Sequence, residues 1–323
     1  MFDRRVFFAA LLILLTAIAS SLLLSFSAQR GMGELRIDNL SIESQTGSNV
    51  SIVVYDQYYS TYDARKPIVI SLHGPQRSVS SLYAFNIELA RRNITVISVE
   101  IENLSNIVTT MDEDALNETG FRCAEAVDYI RTNYNVDDSI YGIVTHAEGF
   151  QVALRMMNFT GTPDAFMAIG DIGSTDSSLF DSITGNFLMA IGDANNAISV
   201  ETGRTIVESL SGISNLQTGE TYGSFEYDNA FRLITGVANQ DTEIINAEFV
   251  KEGCNWMIRG LQGDDQVDRT LDVNQQIFQY QIYSDWIIGF SIIGSVISGV
   301  LFLSNLAYRG FKSKDVNPHI DGS

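Results

Sequence analysis

Histidine, cysteine and proline are scarce in this sequence, and their scarcity limits the metal sites and linkers that the chain can form. The 323 residues include 3 His, 2 Cys and 4 Pro. Two cysteines exclude a zinc site built from repeated cysteine pairs, and so few prolines leave no proline-rich linker between domains. Cys123 and Cys254 each share a helical face with apolar residues, which predicts two buried thiols. A disulfide between them is the less favoured alternative.

Charged residues are absent from two long apolar runs near the ends of the chain, Val6 to Phe26 and Trp286 to Leu306. Each run is long enough to cross a bilayer at about 1.5 Å per residue. Basic residues flank both runs, which predicts cytoplasmic termini and an extracytoplasmic middle. These residues are Arg4, Arg5, Arg309, Lys312 and Lys314. A signal peptide cleaved before Ala28 is the alternative for the first run.

The runs divide the chain into five predicted segments. These are an N-terminal transmembrane anchor (1–29), an extracytoplasmic domain (30–261), an acidic stalk (262–285), a C-terminal transmembrane helix (286–308) and a cytoplasmic tail (309–323). In the second run Ser291, Ser295 and Gly299 recur every four residues, a spacing that lets helices approach closely in a membrane. The expected partner is either the first run, where Thr16 and Ser20 share the spacing, or another protein.

The middle of the chain carries most of the acidic residues, and the whole chain has a net charge of −19. This charge argues against binding to nucleic acid or to anionic lipid. The run Asp112 to Asp114 is a candidate calcium site, although a solvated loop before a helix is the favoured interpretation. Asn-x-Ser/Thr sequons are candidate glycosylation sites on a cell envelope of archaeal or eukaryotic type. They begin at Asn39, Asn49, Asn93, Asn103, Asn117 and Asn158.

Short apolar strand patterns alternate with helical patterns throughout the middle segment. The predicted strands cover 50–55, 67–72, 94–99, 139–144, 165–169, 187–191 and 231–234, and the predicted helices cover 81–92, 115–134, 148–158, 200–210 and 243–261. Ser80 and Ser199 are expected to cap two of these helices. The alternation predicts an α/β domain with a doubly wound, mostly parallel sheet, because most strands look buried on both faces.

Several motifs occur in the order found in the α/β-hydrolase superfamily. They are LHGP at 72–75, IELARRNITVISVE at 87–100, GIVTHAEGF at 142–150, NFLMAIGDAN at 186–195 and FRLITG at 231–236. With QIFQYQIYSDW at 276–286, they resemble the dienelactone-hydrolase-like, membrane-anchored prokaryotic branch of that superfamily. The resemblance covers nearly the whole middle segment and implies a fold that carries a serine, acid and histidine triad.

The positions that match the triad hold other residues. The motif G-x-S-x-G is matched by 145–149, so Ala147 stands where the serine is expected. Asn195 matches the acid, and Asn239 lies where the histidine should follow the last strand. A methyl group cannot attack an acyl carbon, and a serine without a base is a weak nucleophile. The resemblance therefore predicts the scaffold of a hydrolase without its chemistry.

Few residues remain that could carry other chemistry. His319 lies in the predicted tail, which leaves two histidines for the domain. The candidate pocket consists of His73, Gly74, His146, Glu148 and Asp171. One alternative is a hydrolase that uses Ser71 with these histidines, and another is a metal held by the histidines and carboxylates. No close ligand motif accompanies them, so we predict neither a metal nor a cofactor.

These observations predict a membrane-anchored pseudoenzyme that acts as a structural or interaction subunit at the cell surface. Its expected partners are the lipid bilayer and other membrane or surface proteins, and not nucleic acid. The alternatives are a membrane-bound ester or peptide hydrolase with a non-standard site, and a non-catalytic domain that binds a ligand in the inherited pocket.

Overall fold

The computed structural model describes residues 4–58, 65–75, 77–102, 112–173, 183–267 and 270–314, with side chains from Phe7 to Tyr308. Asn103 and His319 lie outside the described residues. The chain forms two compact units. We call Arg30–Phe278 the domain, and Met1–Gln29 together with Gln279–Ser323 the helical unit.

The domain is built around one sheet. Its strands are β1 (Leu35–Glu43), β2 (Asn49–Gln57), β3 (Lys66–Leu72), β4 (Thr95–Val99), β5 (Val136–His146), β6 (Ala165–Ile169), β7 (Asn186–Gly192), β8 (Thr221–Tyr222) and β9 (Phe231–Gly236). Among the described residues their order is β1-β2-β4-β3-β5-β6-β7-β9-β8. Neighbouring strands from β4 through β3, β5, β6 and β7 to β9 pair in parallel. At the edges, β1 with β2, β2 with β4 and β8 with β9 pair in antiparallel orientation. The predicted mostly parallel sheet is confirmed.

Helices connect most of the parallel strands. They are α2 (Tyr83–Ala90), α3 (Glu113–Asn133), α4 (Gly149–Thr160), α5 (Val200–Ser211) and α6 (Ala247–Gln262), while α1 (Arg4–Gln29) and α7 (Phe278–Lys314) begin and end the described chain. Ser199 caps α5 by accepting a hydrogen bond from the N–H of Thr202, as predicted. The prediction for Ser80 is wrong, because α2 begins after Leu82, which offers no side-chain cap.

The core lies on both faces of the parallel strands. Every residue of β3, β4 and β7 is buried. The ring of Phe166 contacts those of Phe150 and Phe187 with centroids 5.3 and 5.7 Å apart, and burial of each such side chain contributes about 1.5–3 kcal/mol. Cys123 and Cys254 are buried and free, so the predicted thiols are confirmed and the alternative disulfide is wrong.

The segment 262–285 was expected to be a stalk, but its middle part is attached to the domain. Glu88 of α2 is fully buried. Its Oε1 atom accepts hydrogen bonds from the N–H groups of Ile277 at 2.6 Å and Phe278 at 3.2 Å. Because Phe278 is the first residue of α7, this carboxylate satisfies N–H groups at the start of that helix.

Two arginines complete this attachment. Arg92 is fully buried and donates to Glu88 Oε2 at 2.8 Å. It also donates to the carbonyl groups of Leu271 at 3.1 Å and Asp272 at 2.7 Å. Arg91 donates to the same Glu88 oxygen at 3.0 Å. We call Glu88, Arg91 and Arg92 the α2 clamp. The polar sequence of 262–278 gives no sign that its backbone contacts the buried charges of Glu88 and Arg92.

Helices α1 and α7 of the helical unit pair in antiparallel orientation. The ring of Phe7 stacks on that of Phe302, with centroids 4.1 Å apart. Further along, a Cβ atom on Gly294 would lie 3.3 Å from Cδ2 of Leu14. By length and composition, Phe7–Gln29 and Phe278–Tyr308 are both able to cross a membrane.

One face of α1 is covered within the helical unit. On α1, Ser21 is buried, whereas Thr16 and Ser20 are exposed. The reason is the helical period, because Ser21 lies about four turns after Phe7 and shares its face. On α7, Ser291 is buried.

Candidate functional site

A sharp turn joins β5 to α4 where the resemblance places the nucleophile. Ala147 at its apex has a φ of 50°, a left-handed conformation that costs about 1–2 kcal/mol for a residue with a Cβ atom. Its N–H donates to the carbonyl of Ile169 at 2.9 Å, and its side chain is buried. The turn therefore has the strained form of a nucleophile elbow, with a methyl group in place of a hydroxyl.

The glycine after the elbow is required by close packing. A Cβ atom on Gly149 would lie 2.6 Å from the carbonyl oxygen of Leu72 and 2.7 Å from that of His73. The first glycine of the motif is replaced by Thr145, which lies inside β5 and pairs with Leu72. Thr145 is fully buried without disturbing the strand, so the elbow forms with one of its two glycines.

The turn after β3 approaches the elbow from the other side. A Cβ atom on Gly74 would lie 2.9 Å from the methyl carbon of Ala147 and 2.9 Å from Nδ1 of His146. Pro75 follows, and proline has no N–H group. This turn therefore offers one backbone N–H donor fewer for a developing oxyanion than a turn without proline would offer.

Asn195, at the acid position, is bonded to a carboxylate. Its Nδ2 donates to Oε1 of Glu243 at 2.8 Å, and the N–H of Gly192 donates to the same oxygen at 2.6 Å. Glu243 is fully buried, and burial raises its pKa. Its Oε2 has no hydrogen-bond partner among the described residues and would lie 2.5 Å from a Cβ atom on Gly170. A carboxylate thus lies beside the acid position, but it comes from the segment after β9.

Asn239, at the histidine position, stabilises a turn of the backbone. Its Oδ1 atom accepts hydrogen bonds from the N–H groups of Asp241 and Thr242, both at 3.0 Å. Asp241 also forms an ion pair with Arg77, which joins the segment after β9 to the segment after β3. Asn239 is exposed.

His73 has both ring nitrogens engaged. Nε2 accepts a hydrogen bond from the N–H of Ile101 at 3.0 Å, which assigns the proton to Nδ1. Nδ1 then donates to the carbonyl of Gly74 at 2.8 Å. The imidazole joins the turn after β3 to the segment after β4, and both of its nitrogens are used in these contacts.

His146 is buried beside the elbow. Burial lowers its pKa to about 4, and the charge of Arg77 acts in the same direction. The backbone of Gln240 and the carboxylate of Asp241 favour the protonated form only weakly. Neither ring nitrogen makes a well-formed hydrogen bond to a described residue. The imidazole is therefore neutral at pH 7.

Two further carboxylates lie near each other at this edge of the sheet. Burial raises the pKa of Glu148, and the charge of Asp171 adds to this effect. Asp171 Oδ1 accepts a hydrogen bond from the N–H of Gly173 at 3.1 Å. In the part of the chain that the structure describes, no group of three or more His, Cys, Asp or Glu side chains could hold a metal ion.

The acidic run Asp112 to Asp114 has a structural role. Asp112 caps α3 by accepting a hydrogen bond from the N–H of Ala115 at 3.0 Å. Glu113 pairs with Arg155 of α4 at 2.6 Å. Asp112 thus lies directly before α3, and Glu113 and Asp114 lie in its first turn, where the run was expected to precede a helix.

The structure brings part of the predicted pocket together. Gly74 approaches His146 closely, and His73 hydrogen-bonds both to Gly74 and to Ile101. Glu148 and Asp171 lie near each other. Sequence reasoning missed Glu243, the buried partner of the acid position. The only sequence signal for it is an acidic residue in the segment that follows Asn239.

Two of the solved structures to which this chain is similar are esterases. A cold-adapted esterase from an Arctic intertidal metagenomic library, solved with PEG, matches with a TM-score of 0.52 and 12% identity, over 71% of this chain and 95% of the esterase. The Pyrococcus furiosus esterase Pf2001 matches with a TM-score of 0.49 and 11% identity, over 70% and 93%. No protein-family model and no curated protein matches. At such low identity the first likeness establishes the α/β-hydrolase fold and does not establish activity.

Proposed function

We propose that this chain is a membrane-anchored α/β-hydrolase-fold protein that has lost serine-hydrolase chemistry and acts as a structural or interaction subunit at the cell surface. The observation that carries the proposal is Ala147, a methyl group at the apex of an intact elbow. A covalent acyl intermediate needs a nucleophile at that apex. The order of the sequence motifs supports an origin in the dienelactone-hydrolase-like branch.

The surroundings of the elbow argue against a substitute site. Ser71, the alternative nucleophile, is fully buried in β3. His73 uses both nitrogens in hydrogen bonds, and the pKa of His146 lies far below neutrality. A general base works best with a pKa near the working pH and within reach of the proton that it removes. Neither histidine combines these properties with a reachable hydroxyl.

Labelling of the full chain with a fluorophosphonate probe tests the loss of chemistry. We expect no labelling of the wild-type protein in mild detergent, while an active serine esterase in the same detergent is labelled completely. We also expect no labelling of Ala147→Ser, because Asn195 and Asn239 supply neither the acid nor the base. Stoichiometric labelling of the wild type at one serine would overturn the proposal and identify the nucleophile.

The membrane location is supported by aromatic residues at the ends of α7. Tyr280, Tyr283 and Trp286 near its start and Tyr308 near its end are exposed. Such belts occupy the two interfaces of a bilayer. From Trp286 to Tyr308 the helix rises about 33 Å, close to the thickness of a hydrocarbon core of about 30 Å. The proposed topology has both termini in the cytoplasm and the domain outside.

The proposed role requires a partner besides the bilayer. Gly299 on α7 would place a Cβ atom within 4 Å of no described atom, so this small residue is available to a helix of another protein. Chemical cross-linking in native membranes tests this role. We expect a discrete cross-linked complex. If cross-linking yields only the monomer, both in membranes and after mild detergent extraction, the proposed role is contradicted.

A second candidate function is the binding of a small polar ligand at the elbow. Two buried side chains favour it, because His146 and Glu243 both have polar atoms without a hydrogen-bond partner among the described residues. Buried polar atoms of this kind are normally satisfied by protein, water or ligand. A thermal-shift screen of small carboxylic acids, alcohols and amides tests it. A rise in the unfolding temperature of the wild type that disappears in Glu243→Gln would support binding beside Glu243. If no compound raises the unfolding temperature, these three classes of ligand are excluded.

A further inference from the structure

The sequons differ sharply in their surroundings. Asn39, Asn49, Asn117 and Asn158 are exposed. Asn93 is half-buried at a φ of 63°, and its Oδ1 is enclosed. The hydroxyl of Thr95, which completes its sequon, is buried and donates to Asp56 at 3.1 Å. An N-linked glycan is compatible with the fold at the first four positions and incompatible with it at Asn93.

Two of the exposed sequons lie next to an aromatic pair, of which one ring is exposed. The rings of Phe121 on α3 and Phe159 on α4 meet edge to face, with centroids 5.3 Å apart. Phe159 is 52% exposed, so a large apolar ring faces solvent here. Asn117 lies one helical turn before Phe121, and Asn158 directly precedes Phe159. We call these four residues the α3–α4 aromatic patch.

The helices that carry this patch are held firmly together. A Cβ atom on Gly120 would lie 2.6 Å from Cβ of Arg155, so α3 and α4 approach closely at this point. Arg155 also pairs with Glu113. The helices that carry the two asparagines and the two phenylalanines are thus held against each other. The apolar faces of sugar rings pack against aromatic rings, so glycans attached here would remove the exposed ring of Phe159 from water.

We propose that Asn117 and Asn158 carry N-linked glycans that cover the α3–α4 aromatic patch, and that Asn93 carries none. The proposal rests on the extracytoplasmic location of the domain. The donor is a lipid-linked oligosaccharide phosphate. Its bond between sugar C1 and phosphate oxygen breaks, a bond forms between C1 and asparagine Nδ2, and the Nδ2 proton leaves with the phosphate. No oxidant or reductant is required.

Mass spectrometry of the full chain from its native membranes tests the proposal. We expect glycan on the peptides that contain Asn117 and Asn158, and an unmodified peptide for Asn93. Thr119→Val and Thr160→Val keep the side-chain shape but remove the hydroxyl that each sequon requires, so each should remove one glycan mass. Thr119→Ser and Thr160→Ser keep a hydroxyl and should retain the glycans. A full set of unmodified peptides, or occupancy of Asn93, would overturn the proposal.

Labelling of an introduced cysteine distinguishes absence of glycans from a wrong assignment of the domain to the outside of the membrane. Ser214→Cys places a thiol at an exposed position, whereas Cys123 and Cys254 are buried. A membrane-impermeant maleimide applied to intact cells should label the variant. Labelling without glycans would overturn the glycan proposal alone. Absence of labelling in cells, with labelling after lysis, would overturn the proposed location and the glycan proposal with it.

Discussion

Ala147 occupies a left-handed conformation that normally favours glycine, and its methyl group makes no hydrogen bond that offsets the strain. The surrounding contacts hold it there, because Gly149 seats the start of α4 against the carbonyl groups of Leu72 and His73. The motif GIVTHAEGF allowed the sharp turn at Ala147 to be predicted. The sequence could not indicate that Glu243 would lie against Asn195, because their contact depends on how β7 and β9 align.

Gly149→Ala should destabilise the domain strongly. The added Cβ atom would lie 2.6 Å from a carbonyl oxygen of the strand turn, so α4 or β3 has to shift. Such overpacking typically costs about 1–3 kcal/mol. Thermal unfolding measures the change, and Ala147→Ser is the control because it leaves Gly149 and the turn in place. Equal midpoints for Gly149→Ala and the wild type would show that the elbow is looser than this packing implies.

His146 should make stability fall in acid. Its pKa is about 4 in the folded chain against 6.5 for an unperturbed histidine, so the folded chain binds fewer protons between these values. Its contribution is complete above pH 6.5 and is lost as the pH falls towards 4. The loss amounts to about 3 kcal/mol.

His146→Phe keeps an aromatic ring without a titrating group and tests this effect. Unfolding midpoints at pH 7, 5.5 and 4 should fall less steeply for the variant than for the wild type. The pKa values of Glu148 and Glu243 are raised, so their titration acts in the opposite direction in both proteins. Parallel pH profiles would show that His146 is not the group responsible.

At the scale of elements, buried parallel strands were the easiest to predict. Apolar runs mark them, and 165–169 has the predicted bounds. Strand β1 was missed because its apolar positions change from odd numbers, as at Ile37, to even numbers, as at Ile42, which breaks the alternation. The α2 clamp was missed for another reason. The sequence ELARR at 88–92 predicts a helix with charged residues. The backbone groups that these charges bind lie at 271–278, so the contact could not be predicted from the local sequence.

Glu88→Gln should weaken the attachment of 271–278 to the domain. Removing the carboxylate charge leaves Arg92 buried without its ion pair, which typically costs about 3–5 kcal/mol. Limited proteolysis should then cut the variant within 271–278 sooner than the wild type. Glu118→Gln, at an exposed position of α3, is the matched control and should behave like the wild type. Unchanged cleavage in Glu88→Gln would contradict the role of the clamp.

At the scale of the whole molecule, two kinds of surface are combined in one chain. The sequence has a net charge of −19, yet α1 and α7 expose large apolar side chains such as Leu12, Leu23 and Leu303. Exposed apolar surface of that extent is stable in lipid and not in water. Hydropathy alone predicted both helices. The antiparallel pairing of Phe7 with Phe302 could not be predicted from hydropathy, because it depends on which faces meet.

The intact chain should stay with membranes during alkaline carbonate washing and enter solution only with detergent. Two bilayer-crossing helices hold a protein through apolar burial, which carbonate does not weaken. The intact mass of the detergent-extracted protein should also include the residues from the first helix. Release by carbonate, or a mature N-terminus after residue 27, would contradict the two-span arrangement.

The bond between Asn195 and Glu243 also bears on what an acid at this position would meet. If Asn195 were replaced by aspartate, two carboxylates would face each other where the amide nitrogen and Oε1 now lie 2.8 Å apart. Like charges at that distance repel strongly in a buried site. Placing an acid at this position therefore carries a penalty unless Glu243 changes as well. If the proposed loss of serine-hydrolase chemistry is correct, a serine at position 147 or a histidine at position 239 gives no activity alone, so several substitutions would be needed together.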